Sequence, residues 1–172
     1  MRIVVGIYTR LPMTEIERLA AKPALLRRLD ARVALADGRA LDLGRRWEEL
    51  GCLLDGGILA PRTGPTVGEQ PLASPEEDVA WSFVTPERVR EIAAELGRVT
   101  RDAFMRLYEV DDEDTADAAP GERTERVIDQ AAYLFRRLEQ LRDHYRAASA
   151  KNEAMLVRIG ERPYDDAPDS LR

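Results

Sequence analysis

The 172-residue chain contains one cysteine and one histidine. A lone cysteine excludes an internal disulfide, and with a single histidine there is no Cys/His set for structural zinc. Neither a metal site nor a cofactor is therefore expected. Lysine is almost as scarce, at Lys22 and Lys151 only, so the positive charge is carried by arginine, and the net charge is -6. A binder of the phosphate backbone needs a clustered excess of basic side chains, so nucleic acid is not an expected partner. Long apolar runs are missing as well. "MRIVVGIYTRLP" is apolar for a few residues before Arg10, too short for a signal segment, and no later run nears the roughly 18 residues of a membrane span. The expectation is a cytoplasmic protein with no membrane partner.

Hydrophobic residues make up 44% of the chain, ample to fill one core at this length. The predicted organisation is a single domain over residues 1–160, followed by a flexible tail at 161–172, where "ERPYDDAPDSLR" has nothing to bury. "RIVVGIY" at 2–8 and "VAWSFV" at 79–84 read as buried strands, and "AMLVRI" at 154–159 reads as a closing strand able to pair with residues 2–8. Thr14 is placed to cap a helix through Ala21, and Pro23 to begin another bearing Leu25, Leu26 and Leu29. The Asp37-Gly38 pair between two short apolar runs predicts a hairpin. Thr85 and Pro86 open a helix with an apolar stripe of Val89, Ile92, Ala93 and Leu96, and Thr100 caps the next one, with Phe104 and Leu107. From Glu122 to Ala150 a long helix is marked by Ala131, Leu134, Leu138, Leu141, Tyr145 and Ala148, with Ile128 and Phe135 widening its stripe. The fold class is α+β: a small, mostly antiparallel sheet, several short helices and one long C-terminal helix. That wide stripe serves its own core or a twofold partner, and a monomer is expected.

Candidate functional residues fall in two places. In "LDLGRRWEELGCLLDGG", Trp47, Leu50 and Leu54 form the inner side of an amphipathic helix, with Gly56 as its C-terminal cap. Cys52 has Glu48 and Asp55 at helical spacing, and neighbouring carboxylates oppose the thiolate that a nucleophile requires. A site between this helix and the Gly/Pro-dense loop 56–75 would use Trp47, a carboxylate from Glu48, Glu49 or Asp55, and Arg45 or Arg46 as an anion clamp. The second place is the acidic run Asp111, Asp112, Glu113 and Asp114, extended by Asp117. It is no EF-hand, because Ala116 stands where the loop glycine is required. Charge is uneven along the chain, +2 over residues 1–75 and -8 over 76–172, so a basic protein is the partner class that suits the second half. His144, between Asp143 and Tyr145, is expected on the helix surface without a catalytic role.

The ordered segments "GIYTRLPMTEIERLAAKP", "LDLGRRWEELGCLLDGG", "SFVTPERVREIAAEL" and "LFRRLEQLRDHYRAASAKNEAMLVRI" resemble the YfbM-like family of bacterial proteins of unknown function, domain-of-unknown-function family 1877. The pattern of Trp47, Leu50, Leu53, Leu54 and Gly56, and the helix start Thr85-Pro86-Glu87, carry the likeness. The resemblance implies an α+β bacterial protein and brings no activity with it. It also implies histidines at the positions held here by Glu48 and Gly51. Two readings stay open: a non-catalytic protein-interaction domain, of the kind that neutralises a basic toxin or enzyme, and a small-molecule-binding domain or enzyme with its pocket near the Trp47 helix.

Overall fold

The structure, a computed structural model, describes residues 4–54, 65–111 and 120–162, and within the helices it leaves the side chains of 107–111 and 120–127 undescribed. Five strands form one sheet in the order β2-β1-β5-β4-β3, with every neighbouring pair antiparallel. β1 (Val4–Leu11) and β5 (Ala154–Glu161) pair along their whole lengths, from Val4 opposite Glu161 to Leu11 opposite Ala154. The closing strand thus pairs with the first, as its sequence predicts. The edges are β2 (Ala40–Asp42) and β3 (Gln70–Leu72), three residues each, and Pro71 removes a donor from β3. Short or proline-bearing edges resist pairing with other chains.

Side-chain alternation along the central strands divides the interior in two. Tyr8, Met155 and Val157 face the larger core, built with α3 (Trp47–Leu53), α4 (Pro86–Arg98), α5 (Arg101–Asp111) and α6 (Pro120–Ala150). Val5, Ile7 and Leu11 face the other way, as do Trp81 and Phe83 of β4 (Ala80–Val84) and Leu156 of β5. That face is covered by α1 (Met13–Ala21), a 3-10 helix at Pro23–Arg28 and α2 (Ala31–Ala36). No helix among the described residues is long and apolar enough to cross a membrane.

The α4 start follows its sequence signals: the Thr85 hydroxyl accepts from the Arg88 N–H at 3.4 Å, and Val89, Ile92 and Leu96 are buried. Elsewhere local chemistry redirects the chain. The expected hairpin at 31–42 is instead a helix, a turn and a strand, because Asp30 accepts from the Val33 N–H at 3.1 Å and nucleates α2. Gly38, at φ +68°, then makes the turn into β2. Helix α1 begins at Met13 with Pro12, not Thr14, as its cap. Ile128 is 48% exposed and does not widen the α6 stripe.

His144 is not on the surface but 9% exposed beneath the sheet, with Nε2 2.9 Å from the Tyr8 carbonyl oxygen. A carbonyl only accepts, so Nε2 carries the proton. Burial, reinforced by the nearby Arg10 guanidinium and only partly opposed by the Tyr8 carbonyl, lowers its pKa to about 4. Two buried tyrosines complete this polar interior: Tyr8 Oη donates to the Thr66 carbonyl at 2.7 Å, and Tyr145 Oη to the Pro65 carbonyl at 2.9 Å. Desolvation pushes both phenols well above their usual range, so they stay protonated as donors that fasten residues 65–66 to the core. Thr66 fills the space above Gly51, where an added Cβ would lie 2.6 Å from the Thr66 hydroxyl oxygen.

Two outcomes are expected. The unfolded chain protonates His144 near pH 6.5 and the folded chain only near 4, so its contribution is complete above pH 6.5 and is lost as pH falls through that window. The loss is about 1.4 kcal/mol per pH unit, about 3 kcal/mol in all. Urea unfolding between pH 4 and 7.5 should show this slope, and His144→Gln should flatten it. Gly51→Ala, which in a free helix gains about 1 kcal/mol, should here lose about 1–3 kcal/mol through overpacking. Adding Thr66→Ala should recover part of that loss, and an additive double mutant would show that the two sites do not touch.

Candidate functional site

The first set of sequence candidates lies on α3 and the turn that leads into it. Arg45 and Glu48 are exposed, Trp47 is half-buried against the larger core, and Arg46 is ion-paired with Glu49 one turn on. The inner side of α3 is Leu50, Gly51 and Leu53, as its amphipathic pattern requires, and Cys52 is exposed. Asp55, the Gly56 cap and residues 57–64 of the loop lie outside the described residues. So do Asp112, Glu113 and Asp114; Asp111 ends α5 with its side chain undescribed. Among the described residues no three His, Cys, Asp or Glu side chains gather as a metal-ligand set.

A cavity of about 370 Å3 opens on the opposite face of the sheet from α3. Its floor is three strands wide. Ile7, Thr9 and Leu11 come from β1, Arg158 from β5 and Trp81 from β4; Ile7 and Trp81 each stand directly across from Arg158. Its walls come from the 3-10 helix, through Leu26 and Arg27, from Leu29 and Asp30 that follow it, and from Ala31, Val33 and Ala34 of α2. Arg39 and Glu76 complete the lining. Arg27, Asp30, Val33 and Arg39 are exposed, which marks the mouth.

The polar groups of the lining differ in depth and in attachment. At the mouth, Arg27 donates to the Pro75 carbonyl, Asp30 accepts from the Val33 N–H, and Arg39 pairs with Asp37 at 3.0 Å. On the floor Arg158 is 8% exposed, with Cζ 5.8 Å from the Trp81 ring centroid and Nη1 donating to the Glu161 carbonyl at 2.7 Å. Trp81 is also buried, and its Nε1 has no hydrogen-bond partner among the described residues. Such an arrangement offers apolar area for a small organic body. Close to the sheet, Thr9 keeps a partly exposed side chain although its strand is interior.

None of these floor residues was singled out by the sequence reading. A signal was there. "AMLVRI" places an arginine inside a run of buried residues on a central strand, with the parity of Leu156 and not of the solvent. Recognising it requires knowing that β5 is flanked on both sides and covered on both faces.

The comparisons with known proteins agree with this architecture. No curated protein matches the chain. A solved structure, the crystal structure of a protein of unknown function, YfbM from Escherichia coli, is similar with a TM-score of 0.63 at 17% identity, over 90% of this chain and 99% of that one. At that identity the likeness speaks for the fold. Residues 4–158 match the family described as Domain of unknown function (DUF1877), and with so much of its length matched, the chain belongs to that family.

Proposed function

We propose that this protein is a non-catalytic binding domain whose ligand is a small organic molecule held in the cavity beneath α2. The observation that carries the reading is the cavity itself: about 370 Å3, walled by Leu26, Leu29, Ala31 and Ala34 and floored by Ile7, Trp81 and Arg158. Small-molecule sites are typically concave, roughly 300–1,000 Å3, mostly apolar, with a few fixed polar groups. The described lining has those properties and brings together no nucleophile with a base, which favours binding over turnover.

N-Phenyl-1-naphthylamine, a neutral dye that brightens in apolar surroundings, tests the reading. Saturable binding of one dye per chain is expected. Ala31→Phe, which projects a ring into the cavity from the first turn of α2, should weaken it at least tenfold while changing stability by about 1 kcal/mol or less. Absent binding, or binding that this variant leaves intact, would count against the cavity.

Protein recognition through the acidic run is a second reading, favoured by the net charge of -8 over residues 76–172. Replacing Asp111, Asp112, Glu113 and Asp114 by their amides should abolish capture of a basic protein from low-salt lysate. Capture unaffected by those amides, or by raising the salt, would remove this reading.

A further inference from the structure

We infer that the ligand of this cavity is an uncharged organic molecule: an apolar body carrying one oxygen, as in an alcohol or phenol, that meets the hydroxyl of Thr9. The inference rests on the ligand-binding reading above and names the chemistry of the same site. Thr9 belongs to β1 and shares a face with Ile7 and Leu11, which flank it in the cavity lining. The strand is paired on both sides there, Thr9 standing opposite Ala40 of β2 and Leu156 of β5. What remains open of this residue therefore opens through the face of the sheet, into the cavity. Its hydroxyl has no hydrogen-bond partner among the described residues. Where Val5, Ile7 and Leu11 set an apolar pattern, Thr9 thus presents a donor and an acceptor that the fold does not use.

The charged groups of the lining are placed differently. Arg158 donates to the Glu161 carbonyl and lies beside the Trp81 ring. Arg27 donates to the Pro75 carbonyl, Asp30 caps α2 and Arg39 pairs with Asp37, all three exposed at the mouth. Glu76 is half-buried on the connection between β3 and β4, not on a strand of the floor. Solvent screens charges at the mouth, so they select little. A neutral oxygen needs only the hydrogen bond that Thr9 supplies, whereas an ionised group would lose far more hydration than one hydroxyl returns. The oxygen accordingly lies against β1 and the apolar body against Leu26, Leu29 and Ala31. A volume of about 370 Å3 admits roughly ten to twelve non-hydrogen atoms, at about 30 Å3 for each water-sized group.

Propylbenzene, 4-propylphenol and 4-propylbenzoate share one body and differ at the polar end, and each is read by displacement of bound N-phenyl-1-naphthylamine. The hydrocarbon leaves water most readily, so hydrophobicity alone favours it. The phenol, uncharged at neutral pH, is nonetheless expected to displace the dye at a concentration about threefold lower than the hydrocarbon, or lower still. Thr9→Val keeps the branched shape that suits a strand and removes the hydroxyl, so it should return the advantage to propylbenzene. Thr9→Ser keeps the hydroxyl and should keep the phenol's advantage. A phenol no better than the hydrocarbon in the unaltered protein overturns the inference while leaving the cavity reading standing. An advantage that survives Thr9→Val overturns the assignment to Thr9, as does its loss in Thr9→Ser should the valine variant not fold. Displacement by 4-propylbenzoate at the lowest concentration of the three overturns the uncharged ligand. Failure of the dye to bind at all removes the cavity reading first, and this inference with it.

Discussion

β1 and β5 hydrogen-bond along eight residue pairs although most of the chain separates them. Closing so large a loop is entropically unfavourable, but the penalty grows only with the logarithm of its length, and a full-length pairing of two mostly buried strands offsets it. This ladder creates the platform on which everything else is placed. β2 has β1 as its neighbour and β4 has β5, and the register of those contacts follows from the central pair. A one-residue slip would turn one strand over against the other, bringing either Tyr8 under α2 or Arg158 under α6. The two sides carry different polar chemistry, so register is specified by more than hydrophobic pattern.

The faces also differ in how completely they are covered. On the larger-core side lie α4, of 13 residues, and α6, of 31, and at 1.5 Å per residue the second is long enough to cross the whole sheet. Tyr8, Tyr145 and His144 on that side are fastened internally by hydrogen bonds to main-chain carbonyls. The other face is roofed by elements of nine, six and six residues, each too short to span five strands. Short pieces meeting at corners leave a gap, and the cavity lies between the 3-10 helix and α2. The break at Pro23 and the cap at Asp30 are thus causes of the site as well as of the local fold.

Elements whose identity depends on local chemistry were legible in the sequence. Thr85, Pro86 and the stripe Val89-Ile92-Leu96 announce α4 without reference to any neighbour, and the β-branched character of the first and last strands announces a buried pair. The segment at 31–42 misleads because Asp37-Gly38 is a turn signal on either route, and the deciding contact is Asp30 capping one turn earlier. His144 misleads for a tertiary reason. Its neighbours Arg142, Asp143 and Arg146 are polar, yet it shares a face with Leu141 and Tyr145, and the Tyr8 carbonyl that satisfies it comes from a strand 136 residues away. The cavity was illegible because its lining is drawn from three strands, two helical segments and the connections beside them.

Each face of the sheet buries polar residues, with Arg10 beside His144 on one and Arg158 at the cavity floor on the other. Tyr8, Tyr145 and His144 are neutral and each is explained by what it holds: the carbonyls of Thr66 and Pro65, and that of Tyr8 itself. Arg158 is charged. Taking a guanidinium out of water costs several kcal/mol, and an apolar side chain of similar size at a buried position is often as stabilising or more so. The Trp81 ring, its centroid 5.8 Å from Cζ, and the Glu161 carbonyl, which accepts from Nη1, are among the contacts that offset that cost, and they hold the cation on the floor of the cavity.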